Sequence, residues 1–116
     1  MGAASPLKIT VLGSGTSVGV PTPGCHCRVC QSADPRDNRL RPSVLLEYGG
    51  HNVVIDTTPD FRTQVLRAKL DRLDAVLYTH SHADHLMGLE SLKSPFVYCS
   101  AATKQVSGGV QVAVRC

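Results

Sequence analysis

Apolar and polar positions alternate from Leu7 to Leu12, with Lys8 and Thr10 between the apolar residues, and the run stops at Gly13-Ser14-Gly15. A period of two that ends in glycines predicts a strand entering a tight turn, the first strand of the core. From Ser14 to Pro42 the periodicity is lost: Gly, Pro, Asp, Arg and Cys dominate, and no stretch can bury a face unaided. A loop of that length needs a staple. Val44 to Tyr48 and Val53 to Asp56 are short β-rich runs around Gly49-Gly50-His51-Asn52, a composition that supplies the positive φ angles of a hairpin. Thr58-Pro59 suits a helix N-cap and first position, and Phe61, Val65, Leu66 and Leu70 then recur at helical spacing. The pattern predicts a helix to about Leu70 that covers the sheet. Ala75 to Thr79 is a short apolar strand, and His85 to Leu92 resumes a helical pattern through Leu86, Leu89 and Leu92. Phe96 to Cys99 reads as another strand, while Val106 to Val114 alternates weakly around Gly108-Gly109. With no repeat, low-complexity tract or linker, one domain or part of one is the simplest organisation.

Composition narrows the function classes. The 116 residues are 42% hydrophobic and 18% charged, as in a globular domain. A net charge of +3 is spread among acids, which suits a small anionic substrate and leaves no nucleic-acid footprint. Only 4% of residues are aromatic and Trp is absent, so stacking platforms for single strands are not expected. Met1 to Pro6 lacks a signal-peptide pattern and no apolar run nears the roughly 20 residues of a membrane span, so a cytoplasmic protein without membrane contact is expected.

The densest chemistry is His80-Ser81-His82-Ala83-Asp84-His85, directly after the strand that begins at Ala75. In an extended segment alternate residues project to one side, so His80, His82 and Asp84 converge while His85 comes around at the start of the following helix. Solvated or helix-capping histidines are the competing reading. Imidazoles and a carboxylate suit zinc, manganese or iron, and the set divides between two ions about 3.5 to 4 Å apart. A second cluster, Cys25-His26-Cys27-Arg28-Val29-Cys30, crowds three of the five cysteines into six positions. Disulfides among such close neighbours are unusual, whereas three thiolates fit around one tetrahedral zinc. Its fourth ligand stays open between Cys99, His51 and Cys116, and three free thiols are the alternative.

The HSHADH segment resembles the HxHxDH motif of the metallo-β-lactamase superfamily. The resemblance implies His80 and His82 at a first metal, Asp84 and His85 at a second, and Asp84 as the catalytic residue orienting the nucleophilic water. It also implies that Asp56, in Val54-Ile55-Asp56-Thr57-Thr58-Pro59, supports the metal loop from a strand end. Gly13-Ser14-Gly15-Thr16-Ser17, Gly19-Val20-Pro21, the CxCxxC cluster, Ser32-Ala33-Asp34-Pro35-Arg36 and Arg41-Pro42-Ser43 resemble one subgroup, the PhnP-type phosphodiesterases that open phosphoribosyl cyclic phosphate. Protein B of pyrroloquinoline quinone biosynthesis is a related cousin.

This resemblance implies an α/β layered αββα sandwich, of which the chain carries the N-terminal half: 1–116 a partial domain, 7–92 clearly family-like and 104–116 divergent. It implies two divalent metals (Zn or Mn) at the catalytic site, one structural zinc at Cys25, Cys27 and Cys30, and phosphodiester hydrolysis by a hydroxide bridging the two metals. The departures are equally specific. Family members are about twice as long, and their second half supplies a further metal-ligating His, a bridging Asp, a final His and the fourth zinc ligand; here His85 is the last histidine and Asp84 the last aspartate. A truncated or frameshifted product would look like this. A non-catalytic metal-binding or partner-binding fragment, stable as a homo-oligomer that covers an exposed sheet face, is the alternative.

Overall fold

The computed structural model describes residues 6–79, together with the backbone of two short strands at 96–98 and 114–115. The strands are β1 (Lys8–Gly13), β2 (Ser43–Tyr48), β3 (His51–Ile55), β4 (Ala75–Leu77), β5 (Phe96–Tyr98) and β6 (Val114–Arg115). They form one sheet in sequence order. β1, β2 and β3 pair antiparallel, with Ile9 opposite Leu46 and Leu45 opposite Val54; β3 through β6 run parallel. A parallel neighbour needs a crossover, and helix α1 (Phe61–Ala68) provides it between β3 and β4.

The β2–β3 turn is tighter than the four residues expected. Gly49 and Gly50 alone make it, at φ 56° and 78°, so His51 and Asn52 join β3 and His51 pairs with Tyr48. Two consecutive positive φ angles match the strand twist, and glycine reaches them without strain.

The helix starts later than Thr58-Pro59 suggests. Thr58 and Pro59 form a turn in which Thr58 O accepts the Phe61 N–H at 3.0 Å. The helix ends at Lys69 in the left-handed conformation, where Leu70 N–H reaches Val65 O at 3.0 Å and closes a Schellman-type cap. Its buried face is Phe61, Gln64 and Val65, whereas Leu66 is 61% exposed. Positions 61, 64, 65 and 68 make one stripe at helical spacing, and Leu66 lies one residue, about 100°, outside it.

Leu12, Leu45, Val54 and Val76 point to the helix side and form the core with Phe61, Val65, Leu73 and Tyr78. The alternate positions face away: Ile9 and Val11 are each 61% exposed. On that side Leu46, Val53, Ala75 and Leu77 line a shallow apolar groove of about 620 Å³. An exposed apolar sheet face is what a half-sandwich implies. Among the described residues no helix is long and apolar enough to cross a membrane.

The unpatterned stretch between β1 and β2 holds a single 3-10 turn, Pro35–Asp37, and is stapled at its base by hydrogen bonds. Val20 and Arg39 exchange two at 2.8 and 2.9 Å. Arg41 donates through N–H and Nη1 to the two Asp60 carboxylate oxygens at 2.8 and 2.9 Å, and through Nε to Ser17 O at 2.9 Å. Gln64 Nε2 donates to Arg41 O at 2.9 Å. The packing leaves no room at Gly13, where a Cβ would overlap the Arg41 carbonyl and come within 2.7 Å of Gln64 Nε2.

Candidate metal-supporting site at the strand ends

β3 and β4 are held in parallel register through Ile55 opposite Leu77, and Asp56 N–H still donates to Leu77 O at 2.9 Å. A regular parallel ladder would continue with Thr79 N–H donating to Asp56 O. It does not, because Asp56 adopts φ 64°. Its carbonyl turns aside and accepts the buried Ser43 hydroxyl at 2.8 Å. The Asp56 carboxylate takes the vacated place: Oδ1 accepts Thr79 N–H at 3.0 Å and Oδ2 accepts Thr79 Oγ1 at 2.7 Å. A side chain thus replaces the backbone acceptor at the residue immediately before His80.

Left-handed backbone costs a non-glycine residue on the order of 1 kcal/mol or more, and Asp tolerates it better than bulkier types. Two charge-assisted bonds from one buried carboxylate offset that cost. One residue further along each strand end, Thr57 Oγ1 and Tyr78 OH lie 2.7 Å apart, both buried. Burial pushes the Tyr78 hydroxyl up to about 12; the bond to Thr57 acts in the opposite direction and the Asp56 charge adds to the rise. Asp74 serves the other end of the same strands, where its carboxylate accepts Asn52 N–H at 2.6 Å, a bond that lowers its pKa.

The cysteine loop is a separate assembly. The Sγ atoms of Cys25, Cys27 and Cys30 all lie within 4.8 Å of one another. Tetrahedral zinc with Zn–S near 2.3 Å places sulfurs about 3.8 Å apart, so the three fit a zinc with small adjustment. Cys30 N–H donates to Cys27 Sγ at 3.4 Å, and Thr22 N–H to Cys30 Sγ at 3.4 Å. The Cys30 N–H, with the neighbouring thiols, lowers Cys27 to about 7. At Cys25 the Cys27 N–H acts in the lowering direction, but the neighbouring sulfurs leave the thiol raised. His26 turns away from the cluster, its Nδ1 3.2 Å from Gln31 Nε2.

The structure therefore brings Cys25, Cys27 and Cys30 together and gives Asp56 a defined contact. His80, His82, Asp84 and His85, like Cys99 and Cys116 among the proposed fourth zinc ligands, lie outside the described residues. His51 is at the hairpin, paired with Asp74 at 3.8 Å. Sequence reasoning missed Ser43, Thr79 and the Thr57–Tyr78 pair. Ser43 and Thr57 stood only inside the Arg41-Pro42-Ser43 and Val54-to-Pro59 segments, with no role of their own, and Tyr78 and Thr79 had no signal beyond their place at a strand end.

Residues 51–111 match the Beta-lactamase superfamily domain, and the chain belongs to that superfamily. Its particular likeness is to the crystal structure of a diphosphatase from the PhnP family, with a TM-score of 0.86 and 46% identity over 95% of this chain and 50% of that one. Coenzyme PQQ synthesis protein B of Xanthomonas oryzae is 31% identical over 86% of this chain and 38% of its own length. A protein of Porphyromonas gingivalis named octanoyltransferase is 53% identical over 76% of this chain, but the match is 18% of that protein. The chain thus spans half or less of the relatives it matches. The mixed sheet with its helix on one face is a partial metallo-β-lactamase fold.

Proposed function

We propose that the chain contributes the metal-holding half of a hydrolase that acts on small anionic phosphodiesters, cyclic ones above all. His80 and His82 hold one divalent metal, zinc or manganese, and Asp84 and His85 a second. Asp84 orients the attacking water, and Cys25, Cys27 and Cys30 hold a structural zinc. The observation that carries this reading is the Asp56 grip on Thr79, because two well-made charge-assisted bonds aim the residue that leads into the histidine segment. When bound, the two ions supply charge stabilisation at the phosphoryl oxygens and an activated water. The protein's part is to fix the approach of that segment. Asp56, buried and bonded on both sides, keeps the end of β4 from drifting.

The PhnP-family neighbour is a diphosphatase, which supports chemistry at phosphorus. The octanoyltransferase name favours acyl chemistry instead, but so small a share of that protein is matched that its name cannot be assigned to the matched part. Cysteines that serve a metal and form no disulfide with one another suit a reducing, cytoplasmic setting, and the proposal includes neither nucleic acid nor membrane as a partner. Four ligands shared between two ions give two each, below the three usual for catalytic zinc. Full turnover therefore belongs to a protein of the relatives' length. The test is to assay such a protein against bis-aryl phosphodiesters, cyclic nucleotides, diphosphates and octanoyl thioesters with manganese or zinc. Phosphodiester hydrolysis is expected, lost on chelation and in His82→Ala. Activity that survives both, or confined to the thioester, overturns the proposal.

A further inference from the structure

We propose that Ser43 is a positioning residue for the histidine segment, acting through Asp56. This rests on the metal-holding role proposed above for residues 80–85. Ser43 opens β2, is 2% exposed, and sits opposite Gly13 in the β1–β2 register, where it lies against the end of β3. Its hydroxyl donates to the Asp56 carbonyl at 2.8 Å, with the Ile55 carbonyl a more distant alternative at 3.4 Å. That carbonyl is the one a regular ladder would have offered to Thr79.

The two bonds are therefore exchanged as a set. With Ser43 satisfying the carbonyl, Asp56 can remain at φ 64°, where its carboxylate reaches both Thr79 donors. Without that hydroxyl a buried carbonyl loses an acceptor bond. The left-handed turn at Asp56 is then destabilised, and the two bonds from its carboxylate to Thr79 loosen. Ser43 touches neither metal nor substrate in this scheme. It steadies the turn from which the Asp56 carboxylate holds the residue before His80. Threonine offers the same hydroxyl donor, whereas alanine removes the bond with little change in volume.

The experiment uses the 116-residue chain with Ser43→Ala and Ser43→Thr. Amide hydrogen exchange is followed by NMR at Thr79 and, as a core reference, at Val54. Manganese affinity is read from the loss of the free-ion EPR signal, since thiolates compete poorly for this hard cation. Ser43→Ala should speed Thr79 exchange about tenfold with Val54 unchanged, and weaken manganese binding several-fold; Ser43→Thr should restore both. Equal acceleration at Thr79 and Val54 would mean a general loss of stability and would overturn the positioning role. So would unchanged Thr79 exchange, or unchanged manganese affinity in a chain whose parent binds the ion. A parent chain that binds no manganese would overturn the metal reading itself, and the role of Ser43 with it.

Discussion

The cysteine loop and the strand ends prepare metal ligands in opposite ways. In the loop, three thiols within six positions are gathered by local turns and by backbone donors no more than eight residues away. At the strand ends, the residue leading into the histidine segment is held by Asp56, 23 residues earlier, and Asp56 in turn by Ser43, 13 residues before it. A local cluster can exist wherever its few residues can turn. A long-range one exists only when the sheet is formed. The difference teaches that metal affinity in the two regions should respond to different mutations.

Phe61→Ala should separate them most sharply. Phe61 is wholly buried at the centre of the core, and truncating such a side chain costs about 3–5 kcal/mol, a large part of a small domain's stability. Thermal unfolding followed by circular dichroism should show loss of the cooperative transition, together with loss of manganese binding, while zinc uptake by the cysteines persists. Zinc uptake that fell in parallel would mean that the cysteine loop depends on the core after all.

Asp56→Asn should have the next largest effect. It keeps the shape but removes the charge behind two bonds to Thr79, a change of about 1–3 kcal/mol. Manganese affinity should fall by an order of magnitude or more, and zinc bound by the cysteines should not change. Cys27→Ser is the converse. Zinc content should fall by one equivalent with a modest loss of thermal stability, because the loop remains stapled by the Val20–Arg39 and Arg41–Asp60 bonds. If zinc stoichiometry and melting temperature both match the parent, the three cysteines are free thiols.

The smallest effect is one of pH. Tyr78 is pushed up to about 12 by burial, above its ordinary 10, so the folded state favours the neutral phenol. Stability from this source is complete below pH 10 and is lost as the pH rises from 10 through 12. Melting temperatures at pH 9 and pH 11 should differ more in the parent than in Tyr78→Phe.

Much of this was legible in the sequence. The alternation around Lys8 and Thr10, the Gly49-Gly50 pair and the short run at Ala75 each found their strand, because period and turn chemistry are local properties. The cysteine cluster was legible for the same reason. The helix face was not, since Gln64 takes a buried position that an apolar count assigns to Leu66. Nor was the Ser43–Asp56–Thr79 chain of bonds. Its members are a serine after a proline, an aspartate in a turn-like segment and a threonine at a strand end, and only the fold brings them together. Asp56 is legible through its family resemblance; its left-handed conformation, the feature that brings its carboxylate to Thr79, leaves no mark in the sequence.

The most direct measurement is a manganese titration of the 116-residue chain alongside its His82→Ala and Cys27→Ser variants, followed by EPR and calorimetry. Weak binding is predicted for the parent, because each ion would have only two of its ligands, with loss of that binding in His82→Ala and none in Cys27→Ser. Manganese binding that is indifferent to His82→Ala would contradict the account.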